Sequence, residues 1–239
     1  MEHPFLREEM LIGHDALIQL QHSHVAVFGI GGVGSFCAEA LARAGIGALT
    51  LIDHDTVSLT NLNRQLIALH STIGQNKAEV MAARILDINP NCQVTALPLR
   101  YTEENKAQFF TQHYHYIIDA IDIVTCKLSL IQNAHQRSIP IVSAMGTGNK
   151  LHPELFQITD ISKTQVCPLA RIMRKELRAR GIVHHMTLWS PEVPVVPQAL
   201  EAPPPGRNPT PASVSWVPSC AGLMLAGFVL RSLIASDAE

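Results

Sequence analysis

Along the chain, short unbroken apolar runs alternate with stretches in which apolar residues recur every three or four positions. Val25-Ala26-Val27-Phe28, Leu49-Thr50-Leu51-Ile52, Val94 to Leu97, Tyr116-Ile117-Ile118-Asp119 and Ile139-Pro140-Ile141-Val142-Ser143 belong to the first kind. Near-continuous runs of this length predict strands buried on both faces of a parallel sheet. The second kind predicts helices over 35–44, from Lys77 to the stop at Asn89-Pro90, over 124–136 and over 168–181, with a shorter one over 103–110. Phe5 to Leu20 predicts two short helical pieces broken at Gly13. Strand and helix alternating from 25 to 145 predict an α/β fold, a doubly wound and mostly parallel sheet with helices on both faces. Residues 1–165 would carry it, and 166–239 would form a C-terminal appendage packed on the same domain. Within that appendage Pro191 to Pro211 holds most of the prolines and reads as a connecting loop or lid. Ser213 to Val217 is patterned to return as a strand, and an apolar helix from Ser219 closes the chain.

Composition narrows this picture. With 239 residues, 47% hydrophobic and 16% charged, the chain is long and apolar enough to bury a full core, which excludes a largely disordered protein. A net charge of -2 provides no global basic field, so any contact with nucleic acid must rest on a local patch. The five cysteines, Cys37, Cys92, Cys126, Cys167 and Cys220, contain no C-x-x-C pair, which argues against zinc and against a disulfide framework. The first residues lack a charged segment followed by an apolar one, so no secretory signal is read and a cytoplasmic protein is expected. Cys220 to Ala235 is very apolar, but Arg231 interrupts it and it is shorter than the roughly 20 residues of a bilayer span. It reads as a buried or dimer-interface helix, with no stable membrane span expected, and Cys220 in it as a packing residue.

The candidate chemistry begins where the first strand ends. Gly29, Gly31 and Gly34 fit G-x-G-x-x-G between a strand and a helix, where missing β-carbons let backbone N–H groups approach a phosphate and the helix dipole favours an anion. The acidic turn Asp53-His54-Asp55 ends the next strand, where a carboxylate accepts from a ribose. Asn61, Asn63, Arg64 and Gln65 then crowd into one polar segment, either a solvated loop or a set of amides and a guanidinium facing a triphosphate. Lys77 lies in the first turn of its helix, a placement that is solvated or relieved by an anion. Asp122, just past a strand end, could hold Mg²⁺ or cap the helix that follows. Over 168–178, Leu169, Ile172, Met173 and Leu177 form an apolar stripe opposite Arg171, Arg174, Lys175 and Arg178, a solvated face or a contact for RNA phosphates. Arg7, read by itself, is a solvated side chain near a terminus. The glycine fingerprint alone is shared by NAD, flavin and ATP enzymes, so an NAD-dependent oxidoreductase fits it too.

Four segments taken together discriminate further: G-I-G-G-V-G-S at 29–35, D-H-D-T-V at 53–57, N-L-N-R-Q at 61–65 and G-Q-N-K-A-E at 74–79. They resemble the ATP-dependent ubiquitin-activating-enzyme superfamily, whose bacterial members include activators of sulphur-carrier proteins. D-A-I-D at 119–122, T-D-I-S-K-T at 159–164 and P-L-A-R-I-M-R-K-E-L-R at 168–178 are most similar to its tRNA-modifying branch, which dehydrates threonylcarbamoyladenosine in tRNA. The resemblance implies a Rossmann-like sheet, ATP as co-substrate, an acyl-adenylate of the modification's carboxylate, and a homodimer. It implies that Gly29, Gly31, Gly32 and Gly34 hold the nucleotide, that Asp53 takes the ribose, and that Asn61, Arg64 and Lys77 contact the triphosphate. Asp122 would then bind Mg²⁺, and Arg7 would be donated to the partner's ATP site. The paired C-x-x-C zinc ligands of the sulphur-carrier activators are missing, which favours the tRNA branch over carrier-protein activation. A nucleotide-dependent scaffold without catalysis is the remaining reading.

Overall fold

The apolar runs lie where both of their faces are covered. The computed structural model describes residues 3–198 and 211–235. Seven strands form one sheet: β1 (His24–Phe28), β2 (Ala48–Ile52), β3 (Gln93–Leu97), β4 (Tyr116–Asp119), β5 (Ile141–Ala144), β6 (Gln157–Asp160) and β7 (Met186–Trp189). Their order is β3-β2-β1-β4-β5-β7-β6, parallel throughout except for β6, which runs antiparallel to β7 at the edge. Alternation along β1 divides the interior in two. Val25 and Val27 face one layer, whereas Ala26 and Phe28 face the other, and all four are fully buried. Burial of a Val or Phe side chain stabilises by about 1.5–3 kcal/mol, so the strand is held from both sides.

Among the described residues, seven α-helices cover the sheet and its ends. They are α1 (Leu6–Ile12), α2 (His14–Gln21), α3 (Gly34–Arg43), α4 (Lys77–Ile88), α5 (Val124–Gln136), α6 (Pro168–Ala179) and α7 (Trp216–Ala235). The apolar residues of α3, α4 and α7 fill one layer, and those of α5 and α6 the other. The break between α1 and α2 falls at Gly13, whose φ of 90° suits a glycine. Sheet order reverses between β1 and β4, and in open α/β sheets a ligand crevice opens at the carboxyl ends of the two strands that flank such a point.

Several elements depart from the pattern. The stretch expected as a strand at 213–217 instead runs into α7, which starts at Trp216. Pro218 does not stop it, because a first-turn residue needs no intrahelical N–H partner. The early start gives α7 20 residues, and a mean hydropathy of 1.7 makes it long and apolar enough to cross a bilayer. Val217, Ala221, Leu225 and Val229 are nonetheless buried within the protein, and a β-carbon on Gly222 would lie 2.3 Å from the Val33 carbonyl oxygen, so α7 seats tightly on the start of α3. The helix expected over 103–110 contracts to a 3-10 turn at Lys106–Phe109. In α6 the buried residues are Ala170, Met173 and Leu177, which leaves Ile172 45% exposed beside the apolar stripe. Nothing in the apolar pattern anticipates β6 and β7. The 191–211 loop lies mostly outside the described residues.

Candidate functional site

A cleft of about 420 Å³ opens at the reversal point. Gly29, Gly31, Gly32, Asp53, Asp55, Asn61, Arg64, Lys77 and Asp122 all line it, so separate segments of the chain converge there. Gly34 lies just behind, as the first residue of α3. The glycine loop has both internal and external demands. Gly29 has φ 90°, and a β-carbon on Gly34 would stand 1.8 Å from the Gly29 carbonyl oxygen. At Gly31 the nearest protein atom to such a carbon is the Gln65 amide at 3.8 Å, so the protein itself leaves that space open.

Asp53 is nearly buried and ties two loops together. Its carboxylate accepts from Ile30 N–H at 2.7 Å and from Asp55 N–H at 2.9 Å. An ionised carboxylate has about four acceptor positions, so capacity for a ribose hydroxyl remains. The start of α4 is brought to the cleft by the strip after β2: Val57 N–H donates to Gln75 carbonyl and Lys77 N–H to Asp55 carbonyl, at 2.8 and 3.0 Å. Asn76 caps the helix by accepting from Ala78 and Glu79 N–H groups. The Lys77 side chain is thereby directed inward, 5% exposed, with Nζ 2.9 Å from Asp55 Oδ2. Burial raises the Asp55 pKa, but the hydrogen bond and charge of Lys77 outweigh it and hold the carboxyl below its usual range.

Ser58 and Asn61 close a 3-10 turn at Leu59–Asn61, which projects Arg64 into the cleft. The guanidinium donates to the Thr60 carbonyl and the Asn63 side chain, and no carboxylate among the described residues pairs with it. Burial lowers its pKa, and no neighbouring carboxylate offsets that effect. Next to it the carbonyl oxygen of the Gln65 side chain is buried without a hydrogen-bond partner, an acceptor that the fold leaves unsatisfied at the cleft wall.

Three carboxylates reach the cleft, and two are committed. Asp53, His54 and Asp55 bring ligand atoms within 4.8 Å of one another, but Asp53 holds backbone N–H groups and Asp55 holds Lys77. Asp122 is exposed and has no hydrogen bond or ion pair among the described residues. It does not cap α5 either, because Ile123 occupies that position. A free carboxylate beside a polyphosphate pocket suits a hard divalent cation whose remaining ligands are phosphate oxygens and water.

The other residues singled out lie elsewhere. Arg7 is exposed on α1 and does not line this cleft. Arg171, Lys175 and Arg178 are exposed along α6, whereas the Arg174 guanidinium turns in to the Thr164 carbonyl and hydroxyl. Cys220 is half-buried in α7, and the other four cysteines are buried. One group escapes a reading of the sequence: Asp119 and Lys127, both fully buried, form an ion pair behind the Ala120–Asp122 turn. Lys127 reads as the polar side of an amphipathic helix, and nothing in its spacing marks it as buried.

A doubly wound sheet with a glycine loop, an acid at the end of β2 and cationic side chains at its reversal point defines a nucleotide-binding α/β protein. The chain belongs to the ThiF family, whose profile matches residues 5–239. It is similar to the tRNA threonylcarbamoyladenosine dehydratase of Bacillus subtilis, 46% identical across 98% of this chain and 96% of that protein. The crystal structure of Escherichia coli tRNA N6-threonylcarbamoyladenosine dehydratase in complex with ATP aligns with a TM-score of 0.89 at 39% identity, covering 98% of this chain and 95% of that one. The molybdopterin-synthase adenylyltransferase of E. coli is 35% identical over only 52% of this chain and 49% of its own length.

Proposed function

We propose that this protein is an ATP-dependent tRNA-modifying enzyme that dehydrates threonylcarbamoyladenosine through an acyl-adenylate of its carboxylate. The observation that carries the reading is the convergence on one cleft of an open glycine loop, the cations Arg64, Lys77 and Arg100 and an uncommitted carboxylate, in a chain similar over nearly its whole length to a dehydratase crystallised with ATP. A free carboxylate is a poor electrophile. Its attack on the α-phosphorus of ATP forms a mixed anhydride and releases pyrophosphate. A nitrogen of the same modification then attacks the activated carbonyl, loses its proton and expels AMP, so that ATP removes the elements of water. Because nucleophile and electrophile share one nucleoside, proximity supplies much of the second step and no covalent enzyme intermediate is needed.

Each residue has a part in this scheme. Asp53 accepts from the ribose, and the glycine loop receives the phosphates on the N–H groups that follow Ile30, since those of Gly29 and Ile30 are already bonded to the Ile52 carbonyl and to Asp53. Arg64 and Lys77 stabilise the charge that accumulates on the departing pyrophosphate, and Asn61 orients it. Asp122 is the residue that would hold Mg²⁺, which when bound neutralises polyphosphate charge. Arg7 completes the site of a second copy in a homodimer. Support for this comes from its exposure on a helix that also leaves Met10 and Leu11 80% and 86% exposed, an apolar surface suited to a subunit contact. The exposed cations of α6, Arg171, Lys175 and Arg178, meet tRNA phosphates. With ATP and tRNA as its substrates, the enzyme works in the cytoplasm.

The test is incubation of the purified protein with ATP and tRNA carrying threonylcarbamoyladenosine, followed by mass spectrometry of the nucleosides. A product lighter by one water, formed with stoichiometric AMP, is expected. Unchanged tRNA together with adenylation of a carrier-protein C-terminus would replace this reading with the sulphur-carrier one.

A further inference from the structure

Behind the cleft, the Asp119–Lys127 pair takes no direct part in the chemistry above. Neither side chain has any exposed surface, and Lys127 Nζ lies 2.9 Å from Asp119 Oδ2. Each of the two also bonds to the backbone of the same residue. Asp119 Oδ1 accepts from Ile121 N–H at 3.1 Å, and Lys127 Nζ donates to the Ile121 carbonyl at 3.0 Å. Asp119 is itself braced: Ser143 Oγ donates to Oδ2 at 2.7 Å, and that hydroxyl lies 2.8 Å from Nε2 of the buried His185.

A buried ion pair is a weak source of stability, because desolvating two charges offsets most of their attraction and an apolar pair of similar volume commonly serves as well. What an apolar pair cannot do is hold a backbone segment by its N–H and its C=O together. Ile121 is that segment, and the next residue is Asp122. Since the Asp122 side chain has no partner among the described residues, the backbone is what places it, by fixing the Cα and the direction in which the side chain leaves it. The preceding residue, Ala120, is also tied, since its N–H donates to the Phe28 carbonyl at 2.8 Å.

We propose that Asp119 and Lys127 are positioning residues that clamp Ile121 and so place Asp122 where its carboxylate can carry a divalent cation on the nucleotide's phosphates. This inference rests on the reading of Asp122 as the ligand of that cation. It accounts for charged groups placed where neither solvent nor substrate can reach them.

The test uses Asp119→Asn/Lys127→Met, which removes both charges together and leaves none buried alone. The introduced asparagine retains an acceptor for Ile121 N–H, while the Ile121 carbonyl loses its donor. Three quantities are read: the thermal midpoint, the affinity for a non-hydrolysable ATP analogue without metal, and the affinity of Mn²⁺ for the protein–analogue complex by electron paramagnetic resonance. The expected result is a melting temperature and a metal-free nucleotide affinity near wild type, with Mn²⁺ binding at least about tenfold weaker. Unchanged Mn²⁺ affinity in the double variant, alongside weakened affinity in Asp122→Asn, overturns the clamp. Unchanged affinity in Asp122→Asn overturns the reading of Asp122, and the clamp with it. If the double variant does not fold, Ser143→Ala loosens Asp119 with both charges in place. It should weaken Mn²⁺ binding by about threefold, the worth of one hydrogen bond, and no change there overturns the clamp as well.

Discussion

Gly31 and Gly34 share one loop, yet the structure assigns them different reasons for lacking a side chain, and alanine at each separates the two. A methyl on Gly34 would lie 1.8 Å from the Gly29 carbonyl oxygen and 2.9 Å from its carbon, so the turn from β1 into α3 must move to admit it. Overpacking of this kind costs about 1–3 kcal/mol even where side chains can yield, and here the obstacle is backbone. A methyl on Gly31 meets nothing nearer than 3.8 Å, and no left-handed φ is required there. Gly31→Ala should therefore fold normally, with a gain of up to about 0.4–1 kcal/mol from the stiffer unfolded chain. If the polyphosphate lies against this loop, the same methyl takes its space, at a cost of about 1–3 kcal/mol in binding. That corresponds to roughly 5- to 150-fold in Kd. Calorimetric melts without nucleotide, paired with titration of ATP, read both effects. ATP binding within twofold of wild type in a stable Gly31→Ala protein would remove the phosphates from the loop, and melting as low as Gly34→Ala would show that Gly31 serves the fold.

Arg64 touches only neutral partners, so Arg64→Ala should change stability by about 1 kcal/mol or less and slow acyl-adenylate formation by about 100-fold or more, read in single-turnover assays. Lys175→Glu/Arg178→Glu should raise KM for tRNA, leave ATP affinity unchanged and flatten the salt dependence of tRNA binding by about 0.7–0.9 for each phosphate no longer neutralised. Arg174→Ala should instead lower stability by about 1–3 kcal/mol, because its guanidinium holds Thr164, with tRNA affinity less affected. His185 has its pKa pushed down by burial from 6.5 to about 3, so the unfolded chain binds a proton that the folded one refuses between those values. Its contribution to stability is complete above the unfolded value and declines by about 1.4 kcal/mol per unit as pH falls below it, a slope that His185→Gln should flatten in melts taken across that range.

How much of this the chain announces depends on the element. Val25 to Phe28 and Tyr116 to Ile118 are apolar without interruption because both of their faces are covered, and such strands are visible without a structure. Met186 to Trp189 is covered as well, but Thr187 sits in its middle with no exposure and His184 and His185 precede it, so four residues carry too little signal. Ser213 to Val217 alternates like a strand, and only its tertiary contacts decide otherwise: Asn149 holds Ala212 through both backbone and side chain, and the Trp216 indole donates to the Leu151 carbonyl at 2.9 Å. The cleft is legible because its lining comes from compact segments of unusual composition, Gly29 to Gly34 and Asn61 to Gln65, that the sequence shows directly. Its support is not. Lys127 and Asp119 meet only because α5 packs back against the end of β4, and buried polar pairs follow no periodicity.

The claim on which the scheme depends is that the modification's carboxylate attacks the α-phosphorus of ATP. Threonylcarbamoyladenosine tRNA labelled with ¹⁸O in that carboxylate tests it in a single turnover. Adenylation followed by ring closure must leave one labelled oxygen on AMP. Label found instead in inorganic phosphate, or AMP released without label, would contradict it.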